Sequence, residues 1–293
     1  MTADVTKPAT DRAVLGTAGT ISVDSGGAVF AREYRRFCDA LARAPHRDVP
    51  FDASIYDPAA VARVRGIWRG RIVSEYESTA VFSQLSVETM EANAPIDVTA
   101  TILRMAQDEL RHAEICIDVV AALGDREPVA APARLALLPP HGGAAPEERA
   151  LRNIIYGCCL SETVNAARFV DALDTTVDPY MRQATRRLLT DEALHAQFGF
   201  LYLELWRDWL AERPDVRERL GRFLRLGFAT LERDLSGAAV RYAPPSPDEA
   251  ALGLSPHERL PETFQRTIEE AIVPALAAFD IDAATAWRTR ALG

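Results

Sequence analysis

Apolar residues recur along most of the chain at the three- and four-residue spacing of amphipathic helices, and strand-like alternation is close to absent. Asp57 followed by Pro58 is a typical N-cap and first helical position, and no further proline interrupts the chain before about Asn93. A second helix is predicted from near Asp97 to Gly124, where glycine is a typical C-terminal stop. The pattern therefore predicts an all-α fold.

The second half repeats this arrangement. Residues 127–145 contain prolines, glycines and small residues, so we expect a long crossover connection there. A third helix should begin near Pro146, and a fourth should run from Asp178 to Glu212. Two short helix-to-helix links around one long crossover predict a four-helix bundle.

Helical extensions are predicted at both ends of this bundle. Residues 1–28 lack apolar periodicity and are expected to form a flexible arm, followed by a short helix over residues 29–44. Two further helices are predicted after the bundle, with a proline-rich loop over residues 243–256 between them. The expected division is an N-terminal arm and short helix (1–56), a metal-binding bundle (57–212) and C-terminal helices packed on it (213–293).

Charge, apolar runs and cysteine spacing argue against several classes of partner and cellular location. The net charge of −9 argues against nucleic acid or an anionic membrane surface as the main partner. The first residues lack the apolar core of a secretory signal, and no apolar run approaches the roughly 20 residues of a membrane span. The four cysteines show neither zinc nor disulfide-framework spacing. We therefore expect a reduced, cytoplasmic protein.

Two near-identical pentads carry the strongest chemical signal. Asp108-Glu109-Leu110-Arg111-His112 lies on the second predicted helix, and Asp191-Glu192-Ala193-Leu194-His195 lies on the fourth. Glu and His three residues apart share one helix face, so they can approach one ion together. Random placement gives roughly 0.03 Asp-Glu-x-x-His matches in a chain of this composition. A carboxylate with an imidazole suits divalent iron, manganese or zinc.

A site for two ions also needs bridging carboxylates, and single glutamates on the other two predicted helices could supply them. Glu162 lies in a stretch of apolar and small residues, where a carboxylate is costly to bury unless it is paired or binds a cation. On the first helix an internal repeat favours Glu75, because Glu75 and Glu162 are each followed seven residues later by phenylalanine. Helix lengths favour Glu77 instead, so both remain candidates. Glu88 and Glu91 are expected to be solvated.

At these residues the chain resembles the ferritin-like diiron carboxylate superfamily, whose bundles bind two metal ions with one Glu from each of two helices and Glu-x-x-His from each of the others. The resemblance implies a ferritin-like four-helix bundle and an oxygenase or oxidase. It implies two iron ions, with a mixed manganese/iron centre left open. The implied metal ligands are Glu75, Glu109, His112, Glu162, Glu192 and His195.

The resemblance also implies roles for neighbouring residues. Asp108 and Asp191 are expected to accept hydrogen bonds from the ligand histidines, and Arg111 could join them. Residues one or two turns from the ligands are candidates for a substrate pocket: Ser78, Thr79, Phe82, Cys158, Ala166 and Phe198. The branch that oxygenates p-aminobenzoate has an additional histidine where this chain has Leu188, so that activity is not supported.

Three functions are compatible with these expectations. The first is an O2-activating monooxygenase or oxidase that acts on a small organic substrate, takes electrons from a separate donor or from peroxide, and forms a homodimer. The second is iron storage or ferroxidase action within a large shell. The third is a non-catalytic helical interaction protein. Neither the substrate nor the choice among N-oxygenation, hydroxylation, desaturation and C–C cleavage follows from the sequence.

Overall fold

The structure is a computed structural model that describes residues 49–130, 134–135, 137–239, 244–255 and 259–290. In these ranges all regular secondary structure is helical and no strand is present, which confirms the predicted all-α class. The arm and short helix predicted for residues 1–44 lie outside the described residues. No helix in the described ranges is both long and apolar enough to cross a membrane.

The α-helices, in chain order, are α1 (Pro58–Glu91), α2 (Ile96–Ala122), α3 (Pro146–Ile154), α4 (Thr163–Thr175), α5 (Pro179–Leu205), α6 (Arg207–Ala211), α7 (Pro214–Ala239), α8 (Pro247–Ala251), α9 (Arg259–Thr267), α10 (Val273–Ala277) and α11 (Ala283–Arg288). A short 3₁₀ helix, Ala53–Ile55, precedes α1. Two π-helical segments continue α-helices: Ile155–Glu162 joins α3 to α4, and Ile268–Ile272 joins α9 to α10.

The main helix starts follow the predicted caps. The Asp57 carboxylate accepts a hydrogen bond from the Ala59 amide at the start of α1, and Asp178 accepts one from the Met181 amide at the start of α5. Each therefore satisfies a backbone donor that the first helical turn leaves without a partner. Gly124, with φ of 85°, follows the C-cap of α2 in the left-handed conformation that glycine adopts most readily.

The long helices form two hairpins that pack on each other. In the first hairpin α1 lies along α2, and in the second the π segment and α4 lie along α5. The hairpins meet where α2 contacts α5 and where α1 contacts α3. The connection after α2 contains no regular helix in its described part before α3 begins, in agreement with the predicted crossover.

A buried polar layer separates two apolar clusters within these helices. One cluster contains Val64, Trp68 and Val119, and the other contains Phe82 and Ile102 with residues of α5 and the C-terminal helices. Between them, four of the long elements place acidic and histidine side chains at the same level. Because buried charge is costly, this layer needs a compensating interaction.

The C-terminal helices share the second apolar cluster. Phe228 of α7 and Phe264 of α9 each pack edge-on against the Trp287 ring of α11, with ring centroids 5.5 and 5.7 Å apart. A hydrogen bond from the Thr263 hydroxyl to the Asp171 carboxylate joins α9 to α4. These helices therefore pack directly on the hairpin that contains Glu162.

Several predicted boundaries are wrong. The fourth helix ends at Leu205 rather than Glu212, and a separate short helix, α6, follows. The predicted loop over 243–256 contains α8, which begins with a capping box between Ser246 and Glu249. That capping signal is present in the sequence, but the surrounding prolines obscure it. Helix α11 is absent from the predicted elements.

Candidate metal centre

Six side chains meet in the polar layer, and the structure divides them into two groups that could each hold a metal ion. One group contains Glu75, Glu109, His112 and Glu192, and the other contains Glu109, Glu162, Glu192 and His195. In each group one potential ligand atom per residue lies within 4.8 Å of all the others, and all six residues are buried. The two histidine ring centroids are 5.9 Å apart.

The glutamates of the pentads belong to both groups. Glu109 has one oxygen 3.8 Å from His112 Nδ1 and its other oxygen 3.0 Å from His195 Nδ1. Glu192 likewise has one oxygen 3.6 Å from each of these nitrogens. Glu75 and Glu162 each belong to one group only. Glu109 and Glu192 are therefore the residues that two ions could share, whereas the sequence pattern assigned that role to the single glutamates.

Glu75 and Glu77, the two candidate ligands on the first predicted helix, differ in burial. Glu75 is buried with one oxygen 3.7 Å from His112 Nδ1, while Glu77 is partly exposed and belongs to neither group. Glu91 is exposed, as expected. Glu88 is buried, contrary to expectation, because its carboxylate accepts hydrogen bonds from the Asn153 and Gln84 side-chain amides. That network also binds the crossover connection, since Gln84 accepts a hydrogen bond from the Leu138 amide.

Each aspartate of a pentad contacts the histidine of the other pentad. His112 Nε2 lies 3.2 Å from Asp191 Oδ2, and His195 Nε2 lies 3.5 Å from Asp108 Oδ2. Because a carboxylate accepts hydrogen bonds, each aspartate holds a proton on Nε2 of the opposite histidine. Burial opposes a charge on either imidazole, but the neighbouring aspartate and glutamate side chains outweigh this effect and raise the pKa of both histidines well above the usual value. Without a cation Nδ1 therefore also carries a proton, which a metal ion would displace.

Three arginines neutralise these aspartates. Arg111 donates hydrogen bonds to both Asp108 and Asp191, and so connects the two pentads. Arg104 pairs with Asp108, and Arg187 with Asp191, each from four residues earlier on the same helix. Arg104 and Arg187 were not among the predicted site residues, although each lies four residues before the aspartate of its pentad and so extends the internal repeat.

Burial and mutual repulsion shift the pKa values of the glutamates apart. Burial, with the nearby Glu109 and Glu192 charges, raises the pKa of Glu75 to about 7. Burial and Glu192 raise the pKa of Glu162 well above its usual range. Burial opposes ionisation of Glu192 too, but its close contacts with Glu162 and His195 bring its pKa to about 2. In the absence of a cation this cluster therefore retains protons.

The π-helical segment places Glu162 at its last position, close to α5. A Cβ atom on Gly199 of α5 would lie 2.7 Å from Cys159 Sγ and 2.8 Å from the Cys159 backbone nitrogen. Only glycine allows the two backbones to approach this closely. A π segment often occurs at functional sites, and nothing in the sequence pattern predicted this one.

The six pocket candidates differ in their positions. The Phe82 ring packs edge-on against the His195 ring at 5.3 Å between centroids, and Phe198 and Cys158 are buried nearby in the same apolar cluster. Ser78, Thr79 and Ala166 are partly exposed, and the Thr79 hydroxyl donates a hydrogen bond to the Glu75 carbonyl within its own helix. Of these six residues, Phe82 is the one shown in contact with a predicted ligand.

Comparison of the whole chain with protein-family models, with curated proteins and with solved structures gave no match. The geometry of the six buried side chains is therefore the basis for assigning a function.

Proposed function

We propose that the protein is a non-haem diiron oxidoreductase that uses O2 to oxidise a small organic substrate, on a ferritin-like four-helix bundle. The observation that carries the proposal is the pair of buried ligand groups that share Glu109 and Glu192. Two ions held close together would share carboxylates, and Glu109 and Glu192 each place one oxygen near the Nδ1 atom of either histidine.

The donor set fits two divalent ions of the iron or manganese type. Four carboxylates supply four negative charges when ionised, which two divalent cations balance, and the two imidazoles suit the same metals. Glu162 Oε2, Glu192 Oε2 and His112 Nδ1 are buried and make no hydrogen bond to the described residues. Buried polar atoms normally have a partner, so these three support an absent cation.

The protein's contribution is to hold the ligands and to exclude water. A bound iron pair would supply the redox chemistry with O2. Asp108 and Asp191 keep the Nε2 protons in place and so present both Nδ1 atoms to the ions. Phe82 and Phe198 make one side of the centre apolar, which protects a reactive oxidant from water.

Anaerobic loading with Fe(II), followed by exposure to O2, tests the proposal. We expect about two ions per chain by metal analysis and a transient visible absorption after mixing with O2. Glu162→Gln should lower the metal content and abolish the transient. Glu77→Gln is the matched control, because Glu77 lies on α1 beside Glu75 but outside both ligand groups. A protein that binds neither iron nor manganese would refute the proposal.

Size-exclusion chromatography of the loaded protein separates the proposal from iron storage. A small oligomer is expected, since α7, α9, α10 and α11 share the apolar cluster of the hairpins and add bulk outside them. A very large shell that accumulates many iron ions per chain would favour storage instead.

A further inference from the structure

Two arginines close to the centre are partly buried and form no ion pair with the described residues. Arg71 lies on α1, one turn before Glu75, and Arg168 lies on α4, after Glu162. Arg71 Nη1 and Arg168 Nε are inaccessible to solvent and make no hydrogen bond to any described residue. Arginines that are buried in proteins are almost always paired with a carboxylate or a similar group.

The two side chains lie on facing parts of α1 and α4, because the Arg71 guanidinium packs against the ring of Phe169, the residue that follows Arg168. Burial and the charge of Arg71 lower the pKa of Arg168 to about 10. Aromatic rings hold Arg71 in place, since its guanidinium carbon lies 4.9 Å from the centroid of the Trp68 ring and 4.7 Å from that of Phe169. Two adjacent cations without a counterion destabilise a fold, whereas an anion between them would stabilise it.

Arg71 lies on the Glu75 side of the metal centre. Residues four apart on a helix share one face, so Arg71 and Glu75 lie on the same side of α1. The Cys116 thiol is within electrostatic reach of both Arg71 and Glu75. The Glu75 side chain is 11% exposed, whereas those of Glu109 and Glu192 are 2–3% exposed. A substrate approaching the centre on the Glu75 side would meet the arginines.

We infer that Arg71 and Arg168 bind the carboxylate group of an organic acid substrate and hold it beside the metal centre. The inference rests on the proposed function for its reaction, but the anion site is a separate set of residues. A guanidinium donates two parallel hydrogen bonds to a carboxylate, which matches its planar shape. A singly charged carboxylate is also repelled less by the acidic metal ligands than a doubly charged phosphate would be.

Binding of matched anionic and neutral probes to the metal-free full chain tests the inference. We expect benzoate and hexanoate to bind in calorimetric titrations, and benzamide and hexanamide to bind at least about tenfold more weakly. Arg71→Gln and Arg168→Gln should each weaken benzoate binding by about tenfold or more. Arg186→Gln, at an exposed position on α5, is the matched control and should not change it.

Mn(II) binding, measured on the same variants, shows whether each is folded. Arg71→Lys and Arg168→Lys keep the charge and should retain part of the benzoate affinity if a glutamine variant fails to fold. Equal binding of benzoate and benzamide, or benzoate binding that both arginine variants leave unchanged, would overturn the inference. So would tight binding of phosphate with none of either carboxylate.

The two proposals fail in different ways in these measurements. If Mn(II) binds but carboxylates do not, the anion site is wrong and the diiron centre stands. If carboxylates bind and neither iron nor manganese does, the anion site stands and the proposed function fails.

Discussion

Replacing Gly199 by alanine should destabilise the protein and disturb the metal centre. The added Cβ would lie 2.7 Å from Cys159 Sγ, 2.8 Å from Cys158 Cβ and 2.8 Å from the Cys159 backbone nitrogen, and ordinary contacts begin at 3.4 Å. One of these neighbours is backbone, so a side-chain rotation alone cannot make room. Either α5 or the π segment must move by more than half an ångström.

The expected cost follows from two opposing effects. Overpacking of a close-packed interior costs about 1–3 kcal/mol. Alanine recovers about 1 kcal/mol because it favours a helix more than glycine does. The expected net loss is about 0–2 kcal/mol, which for a protein of this size lowers Tm by up to roughly 8 °C. Since Cys159 precedes Glu162 by three residues, the displaced segment should also lower the affinity for metal ions.

Gly66→Ala provides a matched control with the opposite expected sign. Gly66 is exposed within α1, and its added Cβ would meet nothing within 4 Å. Only the helix-propensity gain remains there, so Tm should rise by about 2–4 °C. Thermal unfolding of the metal-free proteins, followed by circular dichroism, measures both. If Gly199→Ala stabilises the protein as much as Gly66→Ala does, the close contact between α5 and the π segment is wrong.

Three further predictions concern protons, histidine support and the crossover. The metal-free Glu75 has a pKa of about 7 and must lose its proton to bind a cation. The affinity for Mn(II), measured in competition titrations, should therefore rise as pH rises from 6 to 8. An affinity that does not change with pH would contradict this. Asp191→Asn removes the carboxylate that accepts a hydrogen bond from His112. It should weaken metal binding by about 10- to 100-fold in chelator competition. An unchanged affinity would show that Asp191 does not support His112 as a metal ligand. Asn153→Ala leaves the buried Glu88 carboxylate without two hydrogen bonds. The free energy of unfolding in urea should fall by about 1–3 kcal/mol. A decrease below about 0.5 kcal/mol, roughly the error of such measurements, would contradict this prediction.

The sequence predicted the features that depend on local spacing. Asp57, Pro58 and Gly124 mark helix ends through their own backbone and capping chemistry, and the two pentads place Glu and His on one face of a helix whatever the surroundings. The residues that meet in the polar layer could therefore be named in advance.

Features that depend on contacts between helices could not be predicted in the same way. Which glutamate bridges depends on the relative height of four elements, and the π segment depends on how closely Cys159 approaches Gly199. Glu88 was placed in solvent because its partner Asn153 is distant in the chain. Each of these results from tertiary packing, which single-sequence patterns do not encode.

The crossed contacts between aspartates and histidines make the two pentads interdependent. His112 is oriented by Asp191, and His195 by Asp108, so neither hairpin carries a functional half of the centre. A single pentad transplanted into another scaffold would contain a histidine with no carboxylate to orient it and an aspartate with no histidine to contact.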